Sequence, residues 1–218
     1  MTVSRDLPPE NPTERTRSDI LAVATREFAE KGLAGARVDE IADQTRTSKR
    51  MIYYYFESKE GLYRAVLEKV YEQIRLIEDS VDVAGLAPDA ALAELVGVTF
   101  DWHHGNPDFV RLVMNENIHR GVHISTMGEI PARRRHGILA LLQGLLQRGE
   151  AAGLFRSGLD PVDLHMSISA LCFYNVSNRH TFSRIFERDM TAPEVVAQRR
   201  GVVVDTILRW CLKHPAEV

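Results

Sequence analysis

Apolar positions along the 218-residue chain recur at steps of three and four, the period of a helix buried on one side. Between Thr13 and Lys31, Ile20, Leu21, Ala24, Phe28 and Ala29 form such a stripe, and Gly32 supplies the stop. A two-turn pattern with Val38, Ile41 and Ala42 follows, ending near Thr45. Ser48 can cap a third helix whose apolar side is Met51, Ile52 and Phe56. Ser58 can cap a fourth, running through Leu62, Val66, Val70, Ile74 and Ile77 to about Glu78.

The stretch VDVAGLAPD, residues 81–89, breaks this rhythm with glycine and proline and predicts a change of module. Five helical segments follow: Pro88 to His104, Pro107 to His123, Pro131 to Ala152, Pro161 to about Asn178, and Pro193 to Leu212. Strand alternation, hairpin signals and internal repeats do not interrupt them. The pattern predicts an all-α fold of about nine helices.

Composition narrows the function classes. At 44% hydrophobic and 26% charged residues the chain is that of an ordinary globular protein. Its net charge of -3 requires any nucleic-acid surface to be local. The opening MTVSRDLPPENP resembles neither a signal peptide nor an anchor, and no stretch approaches the roughly 20 apolar residues of a membrane helix. A cytoplasmic, nucleoid-associated protein is expected. Cys172 and Cys211 lie in apolar helical patterns and read as buried reduced thiols. Without a glycine-rich phosphate loop, a nucleophile elbow or an HExxH helix, an enzyme is not expected.

The densest chemistry is TRTSKRMIYYYFESKEGLY, residues 45–63. Two short helices joined by a tight turn and supported by a longer first helix describe a helix-turn-helix, whose second short helix enters the DNA major groove. Lys49 and Arg50 stand at that helix's N-terminus, where the helix dipole disfavours cations by about 0.3–1 kcal/mol each. An external anion removes the conflict, and DNA phosphates and guanine edges fit. Tyr53, Tyr54 and Tyr55 point about 100° apart, so they divide between the interior and the DNA-facing surface. Lys59 adds a cation beside the free N–H groups of the next helix.

From about Arg15 to Leu67 the chain resembles the DNA-binding domain of the tetracycline-repressor (TetR) family of bacterial regulators, through ILAVATREFAEKG, VDEIADQT, SKRMIYYYF and SKEGLY. The resemblance implies a flexible arm over residues 1–12, a DNA-binding domain over 13–60, and a helical ligand-binding and dimerisation domain over 61–218. It implies that Lys49, Arg50, Tyr53 and Tyr54 face DNA, with Ser48 capping their helix, that Tyr55 and Lys59 contact phosphates, and that Phe56 is buried. Three residues depart from the family pattern. Arg37 replaces a capping Thr or Ser, so either the cap is missing or the arginine reaches a phosphate. Arg46 replaces the turn glycine and either distorts the turn or supplies a phosphate contact, and Thr47 replaces an apolar residue.

Ile168, Leu171 and Cys172, with Val196, Val203, Ile207 and Trp210, give the closing helices apolar faces suited to an intermolecular four-helix bundle or to closing each subunit's own core. Two clusters mix apolar and polar groups as a ligand cavity does: Trp102, Phe109, Met114, Asn117, Arg120 and His123, and Phe173, Tyr174, Ser177, Asn178 and Phe182. Packing and a surface Glu116–Arg120 pair account for many of the same residues. Within the first cluster NENIHRGVH resembles a segment of the RutR-like subgroup. Arg120 and nearby histidines suit an aromatic or anionic small-molecule effector. His119 and His123 have the spacing of a metal pair but lack further ligands, so neither a metal nor a cofactor is expected.

The expected function is a homodimeric, ligand-responsive repressor of a palindromic double-stranded DNA operator. Corepression or activation by the ligand, and a helical adaptor that recruits a protein partner, are the alternatives.

Overall fold

The structure is a computed structural model that describes residues 11–81, 84–127 and 130–213. The expected arm lies almost wholly outside them. Among the described residues are ten α-helices: α1 (Pro12–Gly35), α2 (Val38–Thr45), α3 (Lys49–Phe56), α4 (Lys59–Ser80), α5 (Pro88–Gly105), α6 (Pro107–Ile118), α7 (Ile130–Ala151), α8 (Pro161–Ser177), α9 (Arg179–Ile185) and α10 (Pro193–Cys211). Extended pairing among these residues is limited to one antiparallel bridge between Phe155 and Leu212.

Three boundaries differ from the periodicity. Gly32 interrupts α1 at φ 67°, although helical turns resume to Gly35. Helix α6 ends at Ile118 because Arg120 and Gly121 both take positive φ. The Gly121 N–H then reaches back to the Glu116 carbonyl at 2.7 Å and the Arg120 N–H to that of Asn117 at 3.1 Å, the paired closure of a Schellman turn. The additional helix, α9, carries the chain on from α8, with the Phe182 N–H bonded to the Asn178 carbonyl at 2.9 Å.

The chain forms two compact units, dividing after Leu67, within α4. That is later than residue 60, because the first turns of α4 bury Leu62, Tyr63, Val66 and Leu67, and Tyr63 packs edge-on to Phe28 at 5.1 Å. In the N-terminal unit Ile20, Ala24, Phe28, Val38, Ile41, Ile52 and Phe56 are buried. Met51 is exposed, the one member of the expected α3 apolar side that does not reach the core.

In the C-terminal unit α5 packs against α7, α8 and α10. Leu92, Leu95, Val96, Phe100, Leu142, Leu145, Leu164 and Ile168 lie in its core. Each such side chain contributes about 1.5–3 kcal/mol on burial. Arg200 crosses α5 where Gly97 has no side chain and directs its Nε at both oxygens of Asp101, 2.9 Å from each. Among the described residues no helix is long and apolar enough to cross a membrane.

Candidate DNA-binding and ligand sites

Helices α3 and α4 are each capped at the N-terminus by a serine of the motif. The Ser48 Oγ accepts the Met51 N–H at 3.2 Å, and the Ser58 Oγ accepts that of Gly61 at 2.9 Å. Between α2 and α3, Arg46 adopts φ 53° and ψ 30°, and the Thr47 N–H reaches the Ala42 carbonyl at 3.2 Å. Arginine therefore takes the left-handed conformation that glycine adopts without strain, and the turn is retained. Arg37 precedes α2 without any side-chain capping bond; its exposed guanidinium lies 3.9 Å from Glu40. Lys31 bridges Glu27, at 2.8 Å, and Glu40, tying α1 to α2.

These elements expose Arg46, Arg50, Tyr53 and Tyr54 and leave Tyr55 half-buried. The three tyrosines divide by angle: Tyr54 is 77% exposed, while Tyr55 packs between the rings of Tyr54 and Phe56 at 5.5 and 6.2 Å. Phe56 is buried beneath the Arg17 guanidinium, 5.2 Å from the ring centre. Both lysines expected at DNA are engaged within the unit. Lys49 pairs with Asp39, and Lys59 donates to the Ala34 carbonyl at 3.3 Å. The Asp39 carboxylate raises the Lys49 pKa by accepting its hydrogen bond.

In the C-terminal unit the residues of the first expected ligand cluster divide between the interior and the surface. Trp102 and Phe109 are buried against each other, 4.7 Å between ring centres, and His103 packs on both. Met114, Asn117 and Arg120 lie on the exposed side of α6 and its terminating turn. Glu116 corrects the surface pair expected with Arg120: it is 1% exposed and faces inward. Its Oε1 lies 2.9 Å from His123 Nδ1, and its Oε2 accepts the His123 and Ile124 N–H groups at 3.3 and 3.4 Å. Helix termination reverses the chain and brings these N–H groups over the carboxylate, which spacing along an assumed continuous helix does not anticipate. His119 Nδ1 donates to the Asn115 carbonyl at 2.8 Å, so the two imidazoles of the supposed metal pair are directed to different partners.

The second cluster does border a cavity, of about 260 Å³, between α8, α9 and α10. Tyr174, Asn178 and Phe182 line it, whereas Phe173 and Ser177 do not. Sequence reasoning missed Asn175, Arg179, Arg188 and Arg199. Arg199 carried the only legible signal, a cation amid the apolar stripe of α10.

Residues 20–66 match the family described as bacterial regulatory proteins, tetR family, and residues 88–207 match the tetracyclin repressor-like C-terminal domain. The chain belongs to the TetR family. It is 33% identical over 196 residues to the transcriptional repressor NicS of Pseudomonas putida, covering 90% of this chain and 92% of NicS. RutR of Escherichia coli is 34% identical over 97 residues, 44% of this chain and 45% of RutR. Among solved structures, SCO4942 of Streptomyces coelicolor aligns with a TM-score of 0.66 at 29% identity, covering 90% of this chain and 98% of that one.

Several residues expected at a dimer interface lie in the core of the C-terminal unit or pack against it. Ile168, Cys172, Val203 and Ile207 are at most 3% exposed, and Leu171, Val196 and Trp210 pack against the same core. The apolar face of a helix is buried first by its own fold, so the outward stripe is offset from it. On α8 that stripe is Val162, Met166, Ala170 and Tyr174, spaced by four and exposed. On α10 Ala197, Gly201 and Val202 are exposed, and nothing lies within 4 Å of where a Gly201 Cβ would stand.

Proposed function

We propose that this TetR-family chain is a homodimeric repressor that reads a palindromic operator with α3 and is released by a small molecule bound in its C-terminal unit. The observation that carries the reading is the Ser48-capped α3, with Arg46, Arg50, Tyr53 and Tyr54 exposed around its N-terminal half. Arg50 and Lys49 address base edges or nearby phosphates; Tyr55, Lys59, Arg37 and Arg46 serve the backbone. Residues 13–60 together with the first turns of α4 constitute the DNA-binding domain, preceded by an arm and followed by the sensor domain.

The exposed Val162–Met166–Ala170–Tyr174 stripe supports pairing of α8 and α10 across a two-fold axis. Ala197 and Gly201 permit close helix approach there. Two α3 helices then enter half-sites one helical turn, or a multiple of it, apart. A ligand that favours the DNA-incompetent arrangement lowers operator affinity, and DNA lowers ligand affinity by the same factor.

Fluorescence anisotropy on the DNA flanking the chain's own gene tests the reading. Tyr53→Ala and Arg50→Ala should lose sequence preference, by about 1–3 kcal/mol per lost base contact. Lys59→Ala should weaken all sequences alike and flatten the salt dependence by about one unit. Unchanged affinity and preference in the α3 variants would refute the assignment of α3 as the reading helix.

A further inference from the structure

We propose that the cavity between α8, α9 and α10 is the site of a compact aromatic carboxylate carrying a hydrogen-bond donor, with Arg199 and Arg188 holding the carboxylate and Asn175 accepting from the donor. The proposal deepens the effector reading above and rests on it for the consequence at DNA, though not for binding itself.

Asn175 is 5% exposed, lines the cavity, and its Oδ1 has no hydrogen-bond partner among the described residues. A buried acceptor left unsatisfied costs about 1–3 kcal/mol; the Oδ1 exposes almost no surface itself, so a turn of the amide about χ2 toward the cavity lets a ligand N–H or O–H recover that penalty.

Charge supplies the second requirement. Arg179, Arg188 and Arg199 line the cavity, and no Asp or Glu does so among the described residues. Nearby carboxylates have other partners: Asp101 accepts Arg200, and Asp189 accepts the Thr191 N–H and hydroxyl at 2.8 and 2.7 Å. Arg188 donates one N–H to Gln198 at 2.7 Å, but a guanidinium has five donors in a fork that matches a carboxylate. A bound anion offsets the mutual repulsion of the cations.

Size and lining set the third. Phe182 and Val202 give the cavity apolar walls, so an apolar body is buried beside the charge. A volume of about 260 Å³ lies below the roughly 300–1,000 Å³ of drug-sized pockets and above the ~150 Å³ that accepts benzene. One ring with short substituents fits; a nucleotide or a long acyl chain exceeds it.

Isothermal titration calorimetry of the intact chain with 4-hydroxybenzoate, benzoate and 4-hydroxybenzamide tests the site. Saturable binding of 4-hydroxybenzoate is expected, with benzoate weaker and the neutral amide weaker by about tenfold or more. Arg199→Gln should weaken the carboxylates by about tenfold while leaving the ligand-free melting temperature unchanged, and Arg188→Gln at the exposed rim should act in the same direction. Asn175→Leu should erase the preference for 4-hydroxybenzoate over benzoate. The site is overturned if neither carboxylate binds below about 1 mM, if the amide binds as well, or if both arginine variants bind normally. Operator binding followed in parallel separates the two readings. Carboxylate binding without any change at DNA retains the site and rejects it as the effector site; operator release by a compound whose binding ignores both arginines does the reverse.

Discussion

Lys49 and Asp39 form an ion pair across the turn of the helix-turn-helix, with Nζ 3.0 Å from Oδ1 and 3.1 Å from Oδ2. The cation that opens α3 is thus balanced from α2 before DNA arrives, which relieves the conflict with the helix dipole. Both side chains are about half exposed, so water and salt screen the pair and it exchanges readily for a phosphate. Asp39→Asn removes the competitor and its repulsion of the DNA backbone. Operator affinity should rise about three- to tenfold at low salt, with a steeper salt dependence. Anisotropy titrations across a salt series check this, and weaker binding by the variant would contradict it.

Arg46 at φ 53° carries strain that glycine does not. Arg46→Gly should stabilise the native turn by up to about 1 kcal/mol, less the entropy glycine adds to the unfolded chain. The same change removes a cation beside α3, so affinity for all DNA sequences should fall. Urea unfolding and DNA titration should therefore move in opposite directions; a loss of stability would mean that the arginine side chain supports the turn.

The Phe56 carbonyl oxygen lies where a Cβ on Gly61 would approach to 2.0 Å. Backbone cannot rotate away as a side-chain tip can, so Gly61→Ala must shift the start of α4 against the end of α3. A loss of about 1–3 kcal/mol is expected, together with weaker operator binding. Gly144→Ala in α7, where nothing lies within 4 Å, should instead stabilise by about 0.5–1 kcal/mol. Equal melting temperatures for the two variants would show that α4 accommodates a methyl group.

The N-terminal motif was legible because its information is local. Ser48 caps the helix it begins, and Ile41, Ile52 and Phe56 bury at the positions their spacing assigns. In the C-terminal unit, period alone located the helices but not the use of each face. Cys172 and Tyr174 are two residues apart on α8, yet one is fully buried and the other 52% exposed. Choosing between subunit core and outward surface required knowing which helices flank α8. Glu116 and the arginine-lined cavity were hidden for a related reason: both arise where chain reversals bring separate segments together, and helical spacing carries no such information.

Met166, 63% exposed at the middle of the outward α8 stripe, is the sharpest test of how subunits pair. Met166→Glu puts a charge into an apolar face, and a two-fold axis repeats that cost in both subunits. The dimer dissociation constant should rise by about tenfold or more, and operator affinity should fall with it. Cys172→Ala, in the subunit core, should destabilise folding without that concentration dependence. Sedimentation velocity over a dilution series separates the outcomes; an unchanged Met166→Glu dimer would place the interface elsewhere.

Burial gives the two cysteines a measurable pH signature. Desolvation raises the Cys172 thiol from an ordinary 9.0 to about 12, against a small opposing effect of Arg199, and raises Cys211 to about 11, opposed by Arg156. Above pH 9 the unfolded chain loses thiol protons that the folded chain keeps, so these groups favour the unfolded state progressively as pH rises toward about 11–12. Their contribution is fully present below pH 9 and declines by up to ~1.4 kcal/mol per pH unit for each thiol within that window. Tyrosines and lysines titrate there too, so the comparison is with the Cys172→Ala, Cys211→Ala double variant, which should start less stable and lose stability less steeply. Urea unfolding from about pH 8 to 10.5 measures the difference. Parallel curves for the two proteins would mean that the thiols ionise as readily in the folded chain as in the unfolded one.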